Sequence, residues 1–462
     1  MLEEATFIDD LIKKAKKAQE TISQCDQEEV RSIAASIGWY AVQNAHRWAE
    51  INFKETGMGD VQSKINRTQA RARGIMRDLN EAKTVGIIEV DEPKQLIKIA
   101  KPVGVIGGLV PVTVPACVVF SKAMNALMGR NAIIFAPHPR AKKTTITTAN
   151  DLRELLSRLG YEKDLIQCIE NPTMACSKEL MAKCDLIIAT GGAGLVKAAY
   201  SSGTPAYGVG AGNVVSVIDE TADLKDVASK IIESQLNDLA IGCSTENSLV
   251  IQEKIYRDVL KEFQAQGAYI CTAEEKNKLQ DTLWVDGHLN AGLICTKAIN
   301  IAHKSGFAVP EDTTCILVEE NGYGSDYPFS GEKLSVVLSV YKYDSFNEAI
   351  ELTNAIQSYS GAGHSCGIHS FDEDHIMEFA MRTKTARVGV RFPQNKANAG
   401  NWNNGMPFTL TLGCGTWGGN ITCDNITWKH YINTTWVARE IPDFYIPTDS
   451  ELFGGVIQDN RI

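Results

Sequence analysis

The 462-residue chain lacks any uninterrupted apolar run of the roughly 18–20 residues that a membrane-spanning helix needs. It also lacks a basic excess, because 46 lysines and arginines stand against 56 aspartates and glutamates, with a formal net charge of −10. A nucleic-acid-binding protein needs a large basic face to neutralise phosphates. The sequence therefore predicts no membrane span and no nucleic-acid partner, although the short basic segment 140–143 remains open as an anion site.

The cysteines form no CxxC pair, although there are twelve of them. Their spacing predicts neither a zinc site nor a disulfide framework, and we expect no metal. The amino terminus does not read as a secretory signal, so the expected compartment is the reducing cytoplasm. Most of these thiols should be small buried hydrophobic groups.

The amino-terminal segment, residues 1–19, alternates charged and apolar positions and predicts an amphipathic helix with Phe7, Leu11 and Ile12 on one side. An ordinary surface helix is the simpler interpretation. The alternative is a docking or encapsulation tag, which would direct the chain into a protein-shelled microcompartment.

Short apolar segments alternate with helical patterns from Val103 onwards, and those at 131–135, 185–189 and 214–218 read as buried strands. This alternation is typical of a doubly wound α/β fold, with a parallel sheet covered on both faces. Its ligand crevice lies at the carboxyl ends of the strands. A second strand–helix series begins near Ser248 and predicts a second α/β domain.

Two segments are candidates for chemistry on residue type alone. Gly191–Gly194 separates a predicted strand from a helix, where backbone N–H groups can approach a pyrophosphate. Its spacing does not complete GxGxxG, and a plain tight turn fits equally well. Cys243 follows Gly242 among small polar residues, where a thiolate could attack a carbonyl carbon. The alternative for Cys243 is a buried structural cysteine.

Six segments in a fixed order extend this interpretation. They are ATGGAG at 189–194 with KAA at 197–199, YGVGAGN at 207–213, GC at 242–243, PFSGEKLS at 328–335, GAGH at 361–364 and LGCGTWGGN at 412–420. Together they resemble the coenzyme A-acylating branch of the aldehyde dehydrogenase superfamily, over about Val103–Asn433. Within that branch the chain is most similar to the acylating dehydrogenases of succinate semialdehyde and sulfoacetaldehyde.

The resemblance implies an aldehyde dehydrogenase-like α/β fold with two doubly wound domains and a small oligomerisation element. It implies a Rossmann-type cofactor-binding domain over 1–238, completed by about 408–462, and a catalytic domain over 239–407. It further implies NAD or NADP as cofactor, coenzyme A and a small aldehyde as substrates, and a homodimer or homotetramer.

The implied reaction passes through a thioester on Cys243, which coenzyme A then relieves. Hydrolytic relatives carry a glutamate upstream of the cysteine to activate water, and the matching position here is Gly208. The resemblance therefore favours a thiol as the acyl acceptor. The alternatives are an acylating acetaldehyde or propionaldehyde dehydrogenase, a hydrolytic aldehyde dehydrogenase, an alcohol dehydrogenase without a cysteine nucleophile, and a non-catalytic scaffold.

The resemblance also implies roles for residues around Cys243. The oxyanion would be held by the backbone N–H of Cys243 and by Thr113, because Val114 stands where many relatives have asparagine. His364 would help to deprotonate coenzyme A, or would be a satisfied structural histidine. Glu332 would accept hydrogen bonds from the nicotinamide ribose.

Further cofactor contacts are implied upstream. His138 lies where relatives contact the adenine ribose, and Arg140 and Lys142 could take a diphosphate or a 2′-phosphate, which leaves NAD or NADP open. The implied cofactor-binding set is His138, Pro139, Arg140, Thr190, Gly191, Gly192, Gly194, Gly208, Val209, Gly210, Glu332 and Leu412.

An arginine-containing segment, RVGVRFP at 387–393, resembles a substrate-side segment, with Arg391 where asparagine is common. A guanidinium presents a planar fork to carboxylate or sulfonate oxygens. The hypothesis is that Arg391, with Arg387 or Lys396, binds an anionic aldehyde such as succinate semialdehyde or sulfoacetaldehyde. The alternatives are a salt-bridged arginine and a contact to a coenzyme A phosphate.

Overall fold

The computed structural model describes residues 2–458 of the chain. In chain order its helices are α1 (Leu2–Ile22), α2 (Gln27–Thr56), α3 (Val61–Asn80), α4 (Pro115–Met128), α5 (Lys142–Arg158), α6 (Met174–Lys183), α7 (Ala193–Tyr200), α8 (Leu224–Leu236), α9 (Tyr256–Ala265), α10 (Ala273–Leu283), α11 (Ala298–Lys304), α12 (Phe346–Tyr359), α13 (Glu373–Arg382), α14 (Gln394–Ala397) and α15 (Asp449–Gln458). Its strands are β1 (Gly86–Asp91), β2 (Leu96–Pro102), β3 (Val105–Val110), β4 (Ala132–Pro137), β5 (Ile166–Cys168), β6 (Leu186–Thr190), β7 (Ala206–Val209), β8 (Val214–Ile218), β9 (Glu246–Gln252), β10 (Tyr269–Ile270), β11 (Trp284–Val285), β12 (His288–Leu289), β13 (Ile316–Glu319), β14 (Val337–Tyr343), β15 (Cys366–His369), β16 (Val388–Val390) and β17 (Ile432–Ala438).

A five-stranded parallel sheet forms the first large layer, in the order β5-β4-β3-β6-β7. Every residue of β3 and β4 is buried, as expected of strands that are covered by helices on both faces. The strands predicted at 131–135 and 185–189 are confirmed, because they correspond to β4 and β6. The predicted α/β fold with parallel sheets is therefore confirmed for this part of the chain.

A seven-stranded parallel sheet forms the second layer, in the order β10-β13-β14-β9-β8-β15-β16. Because β8 pairs with β9 and β15, the predicted strand at 214–218 belongs to this sheet. The second sheet thus begins earlier in the chain than the predicted boundary at residue 238. All five residues of β8 are buried, and such an apolar run fits the centre of either sheet, so the sequence pattern alone could not assign it. The division into a cofactor-binding and a catalytic domain stays a prediction.

A small antiparallel sheet joins β1, β2 and β17, the last of which comes from the carboxyl-terminal part of the chain. It leaves Ile87, Val90 and Trp436 exposed. This sheet lies partly within the segment 408–462, for which the resemblance implies an oligomerisation element, and that role stays a prediction.

The amino-terminal helix is confirmed as α1, and Leu11 and Ile12 of its predicted apolar side pack with the core. Ile8, Ile12 and Ala15 are buried in the core of the first layer, whereas Phe7 is 40% exposed. The buried residues are four and three positions apart, as expected for one side of a helix, and small alanines continue this apolar side beyond the larger side chains. Because α1 packs on α6 and β4, its apolar side is already covered by the chain itself.

The twelve cysteines are all free thiols, and only Cys423 is exposed. Most of the others are buried, as the composition predicts. Among residues 2–458 there is no helix long and apolar enough to cross a membrane. The same residues contain no group of three or more histidine, cysteine, aspartate or glutamate side chains that could hold a metal.

Candidate active site

Cys243 lies where the two large sheets meet. It precedes β9 of the seven-stranded sheet, and its carbonyl oxygen contacts Gly212, which lies in the segment that joins β7 to β8. A Cβ atom on Gly212 would overlap that oxygen, so only glycine permits this approach. The candidate nucleophile is therefore held at the junction of the two layers.

His364 faces the sulfur of Cys243. Its Nε2 lies 3.1 Å from the Cys243 Sγ, and its Nδ1 lies 2.8 Å from the Oγ of Ser365. When Nδ1 donates its hydrogen to Ser365, Nε2 is left as an acceptor for the thiol proton. Burial lowers the pKa of His364 to about 3, with a further lowering by Arg387, so the ring is neutral near pH 7. The sequence left the role of His364 open, and the structure brings it to Cys243.

The Cys243 thiol is a weak acid in this setting. Burial raises its pKa to about 12, Glu332 adds to the rise, and Arg387 opposes it. The resting pair is therefore a neutral thiol beside a neutral imidazole. A thiolate forms only when the proton moves from Cys243 to an adjacent acceptor, and His364 lies at hydrogen-bonding distance for that transfer.

Arg387 is buried and bonded only to acceptors of the chain itself. It donates to Asn425 Oδ1 (2.7 Å), the Gly413 carbonyl (2.8 Å), the Cys423 carbonyl (2.9 Å) and the His364 carbonyl (3.1 Å). These bonds fix the backbone of His364. They also occupy the fork that the sequence hypothesis assigned to the aldehyde, so the position of Arg387 does not support a substrate contact.

Arg391 is not brought to Cys243. It follows β16 at the carboxyl end, where its Nη1 donates to the Ser370 carbonyl at 2.7 Å. Ser370 follows β15, whereas His364 precedes it, so about 10 Å of strand separates the two ends. Lys396 pairs with Glu233 on the surface. This placement does not support a contact of Arg391 with the aldehyde, which stays a prediction, because the sequence could not show at which end of β16 its side chain would be anchored.

The implied cofactor segments lie along one edge of the five-stranded sheet. His138, Pro139 and Arg140 follow β4, Thr190 ends β6 and Gly191–Gly194 follows it, and Gly210 follows β7. Parallel strands end at the same edge, which is where ligands bind in doubly wound folds. His138 accepts a hydrogen bond from the backbone N–H of Arg140, and burial lowers its pKa.

This edge has room for a dinucleotide. A Cβ atom on Gly192, Gly194 or Gly210 would meet no atom of the described residues within 4 Å, whereas one on Gly191 would meet Leu195. Gly192 also stands at the N-cap of α7, where it brings no side chain to cover the free N–H groups of the first turn. A glycine-lined helix start of this kind fits a diphosphate.

Glu332 and Leu412 complete the implied cofactor surface. Burial raises the pKa of Glu332 to about 8, and the backbone N–H of Gly212 opposes the rise, so this carboxyl lies beside the segment that contacts Cys243. Such a buried acceptor suits a ribose hydroxyl. Leu412 packs with Val209 and Cys414, and the hydroxyl oxygens of Thr190 and Thr411 are 3.0 Å apart.

Thr113 lies in the half-buried loop that precedes α4. The neighbouring Val112 packs against Ile241, two residues before Cys243, and against Met58 and Cys295. The loop therefore approaches the nucleophile, as implied. The free N–H groups at the start of α4 follow it directly, since Val114 provides no side-chain cap.

Gly208 is packed against other side chains and does not face open space. A Cβ atom there would lie 2.8 Å from Val196 Cγ1 and 2.9 Å from the Tyr200 ring. The Tyr200 hydroxyl also bonds to the backbone of Gly208 and accepts from the N–H of Ile421. A carboxylate at this position would have to displace Tyr200. The structure thus offers no room at residue 208 for the water-activating glutamate of hydrolytic relatives.

The turn before Cys243 is strained, which sequence reasoning missed. Asp238, Leu239 and Ala240 have φ angles of 54°, 54° and 58°, a conformation that costs a non-glycine residue roughly 1–2 kcal/mol. The buried Asp238 carboxylate accepts from Lys64 Nζ (3.0 Å) and from Arg67 Nη1 (2.6 Å) on α3. The only sequence signal was the spacing of two basic residues on one helix face.

Replacing Asp238 with asparagine should lower the free energy of unfolding by about 3 kcal/mol, because it leaves the buried Lys64 without a counter-charge. Urea denaturation measures this. The matched control is Asp258→Asn, which breaks the exposed pair with Lys261 and should change stability by less than about 1 kcal/mol. Equal effects of the two substitutions would contradict a stabilising role for the Asp238 network.

The sequence was compared with known families and proteins. The profile of the aldehyde dehydrogenase family matches residues 2–279. A sulfoacetaldehyde dehydrogenase of Acholeplasma sp is 42% identical, over 97% of this chain and 94% of that protein. A succinate-semialdehyde dehydrogenase (acetylating) of Clostridium kluyveri is 38% identical, over 97% of this chain and 99% of that protein.

Solved structures of aldehyde dehydrogenases have the same fold as this chain. An acetylating aldehyde dehydrogenase from Geobacillus thermoglucosidasius superposes with a TM-score of 0.93 at 38% identity, covering 96% of this chain and 99% of that one. A propionaldehyde dehydrogenase from the fucose-utilisation microcompartment of Clostridium phytofermentans gives 0.85 at 26% identity, covering 94% and 97%. Together with the Cys243–His364 pair and the glycine-lined edge, these matches show that the chain belongs to the coenzyme A-acylating branch of the aldehyde dehydrogenase family.

Proposed function

We propose that the chain converts a short aldehyde with an anionic end into its coenzyme A thioester, with NAD or NADP as the oxidant and Cys243 as the nucleophile. The observation that carries the proposal is the 3.1 Å contact between the sulfur of Cys243 and Nε2 of His364. The contact lies beside Gly212 and Glu332, at the inner end of the edge that fits a dinucleotide.

In the first half-reaction the Cys243 sulfur attacks the aldehyde carbon while its proton moves to His364. Negative charge develops on the aldehyde oxygen, and preorganised N–H donors stabilise it. The candidates are the backbone N–H of Cys243 and the segment of Thr113 with the open start of α4. The product of this step is a thiohemiacetal on Cys243.

When bound, the dinucleotide supplies a nicotinamide ring that accepts hydride. Gly192, Gly194 and Gly210 leave space for its diphosphate, and Glu332 is placed to accept a hydrogen bond from a ribose hydroxyl. Loss of hydride leaves Cys243 holding the acyl group as a thioester.

In the second half-reaction the thiol of coenzyme A attacks that thioester, and Cys243 is released. The oxidation releases one proton overall, so His364 passes its first proton to solvent before coenzyme A attacks. It then takes the coenzyme A thiol proton and returns it to the leaving sulfur of Cys243. A thiol has a pKa about seven units below that of water, so a base that handles a thiol need not activate water. The crowded surroundings of Gly208 support this choice of acceptor.

The relatives differ in the aldehyde that their names specify. Sulfoacetaldehyde and succinate semialdehyde both end in an anion, and the enzymes named for them are 38–42% identical to this chain. A cationic face of α3, formed by Lys64, Arg67 and Arg71, lies over the turn before Cys243 and supports an anionic substrate. A neutral aldehyde, as in the propionaldehyde relative, is the second candidate, and the apolar cluster around Met58 and Ile241 favours it.

The test is a coenzyme A-dependent assay of NADH or NADPH formation with sulfoacetaldehyde, succinate semialdehyde, acetaldehyde and propanal. We expect reduction to depend on coenzyme A, with kcat/KM for the two anionic aldehydes at least about tenfold above the neutral ones. The control omits coenzyme A and measures free acid. Equal rates of free-acid formation without coenzyme A would contradict the proposal, and the same assay determines whether NAD or NADP is preferred.

We also propose that the chain is a cytoplasmic homodimer or homotetramer. The twelve free thiols suit a reducing compartment. Exposed apolar side chains at Trp436, Phe444 and Ile446 suit a contact between copies. Because the apolar face of α1 is packed within its own layer, it supports a surface helix over an encapsulation tag.

A further inference from the structure

One half-buried basic residue of α3 has no acidic partner among the described residues. Lys64, Arg67 and Arg71 share a face of α3, since they are three and four residues apart. Lys64 and Arg67 share the carboxylate of Asp238. Arg71 forms no ion pair with any residue in the range 2–458, and its only hydrogen bonds run from Nη1 to the carbonyls of Ala399 and Gly400.

Arg71 is a charged side chain with unused hydrogen-bond donors, and such a group suits the binding of an anion. Burial lowers its pKa to about 10, and the nearby Arg67 lowers it further, yet the guanidinium stays protonated at neutral pH. The side chain is half-buried, its guanidinium lies over the Phe408 ring at 5.7 Å from the ring centroid, and no carboxylate of the described residues faces it. Because Nη1 alone makes the two carbonyl bonds, Nε and Nη2 have no hydrogen-bond partner in the described chain. Those two donors form the side-on fork that fits two oxygens of a carboxylate or sulfonate.

The location of Arg71 follows from contacts on both sides of it. Thr68, on the same helix face, lies 3.3 Å from the sulfur of Cys117 in the first turn of α4. The loop of Thr113 leads into that turn. The neighbouring Arg67 reaches Asp238, five residues before Cys243. The basic face of α3 therefore lies over the two segments that border the nucleophile.

A third contact reaches the nucleophile from the opposite side. Ala399, whose carbonyl Arg71 holds, packs with Leu412 and Cys414. Cys414 in turn lies close enough to Cys243 to raise its pKa, after the larger effects of burial and Glu332. Arg71 thus stands between the α3–α4 side and the 399–414 side of the space around Cys243.

We propose that Arg71 binds the anionic end of the aldehyde through Nε and Nη2 and so determines specificity for carboxylate- or sulfonate-bearing substrates. The inference rests on the proposed function and adds to it the residue that selects the substrate. Arg71 takes no part in bond making at the aldehyde carbon, so its loss should raise KM more than it lowers kcat. Arg67 adds positive potential but is committed to Asp238.

The experiment compares Arg71→Ala, Arg71→Lys and the control Arg73→Ala, which alters an exposed arginine on the same helix. For sulfoacetaldehyde and succinate semialdehyde, Arg71→Ala should raise KM about 30-fold or more, with kcat within about threefold. Its KM for propanal should stay within about twofold. Arg71→Lys keeps the charge but loses the fork and should raise the two KM values about five- to tenfold. Arg73→Ala should match the parent enzyme.

An equal rise of KM for propanal and for the anionic aldehydes in Arg71→Ala would overturn the inference, because Arg71 would then only clamp the 399–400 backbone. If Arg71→Ala fails to fold, Arg71→Met keeps the bulk of the side chain. Calorimetry then compares binding of ethanesulfonate to the parent and to Arg71→Met, with a loss of at least about tenfold expected. Equal binding, or none to the parent, also overturns the inference. Absence of coenzyme A-dependent turnover with every aldehyde would instead defeat the proposed function, and ethanesulfonate binding would still report on Arg71.

Discussion

Replacing Cys243 with alanine is expected to lower coenzyme A-dependent turnover by at least about 10⁴-fold, because the acyl group then has no sulfur to occupy. Cys414 is a nearby thiol, since it adds to the raised pKa of Cys243. It is buried, however, and its sulfur donates to the Leu412 carbonyl at 3.5 Å. No histidine nitrogen forms a hydrogen bond to its sulfur in the described structure. Initial rates of NADH or NADPH formation measure the loss.

The control is Cys423→Ala, because Cys423 is the exposed free cysteine and should be dispensable within about twofold. Intact-mass analysis adds a second readout. With aldehyde and oxidised cofactor but no coenzyme A, the parent should accumulate an acyl adduct that Cys243→Ala lacks. An adduct of the same mass in Cys243→Ala, or turnover close to that of the parent, would show that another group is the nucleophile.

Much of the fold could be predicted because buried parallel strands read as short apolar runs between helices. This gave β4 and β6 in the first sheet and a second strand–helix series beginning near Ser248, which lies in β9. The assignment of β8 failed because VVSVI fits the interior of either sheet, and only pairing with β9 and β15 decides it. The apolar side of α1 was predicted only in part, since Ile8 is buried in place of Phe7, and small Ala15 counts little in a hydrophobic pattern but packs fully in the core.

The sequence predicts a site residue where a local motif determines its chemistry. It cannot do so where segments far apart in the chain determine which residues are in contact. Cys243 and His364 were both candidates, but only the fold brings residues 121 positions apart within 3.1 Å. Arg391 gains no support as an aldehyde contact, because its bond to the Ser370 carbonyl anchors it at the far end of the sheet. The sequence did not single out Arg71, because α3 contains several arginines. Only the structure shows that Asp238 pairs with Lys64 and Arg67 and leaves Arg71 without an acidic partner among the described residues.

Replacing His364 with alanine is expected to lower kcat/KM about 10²–10³-fold at pH 7, the usual effect of losing a positioned base. In the parent, burial keeps the His364 pKa near 3, so the ring is unprotonated throughout the working range and takes the thiol proton only as the sulfur bonds to the aldehyde carbon. The parent profile should therefore be nearly flat between about pH 7 and pH 9.

The variant should behave differently, because its Cys243 must lose its proton to solvent. With burial raising the thiol pKa to about 12, the thiolate fraction is about one part in 10⁵ at pH 7 and increases tenfold with each pH unit below 12. The deficit of His364→Ala should accordingly shrink as pH rises, by about 100-fold between pH 7 and pH 9. His46→Ala, which removes an exposed histidine on α2, is the control and should keep the flat profile. A His364→Ala profile parallel to that of the parent would mean that His364 only shapes the site, and that Cys243 loses its proton by another route.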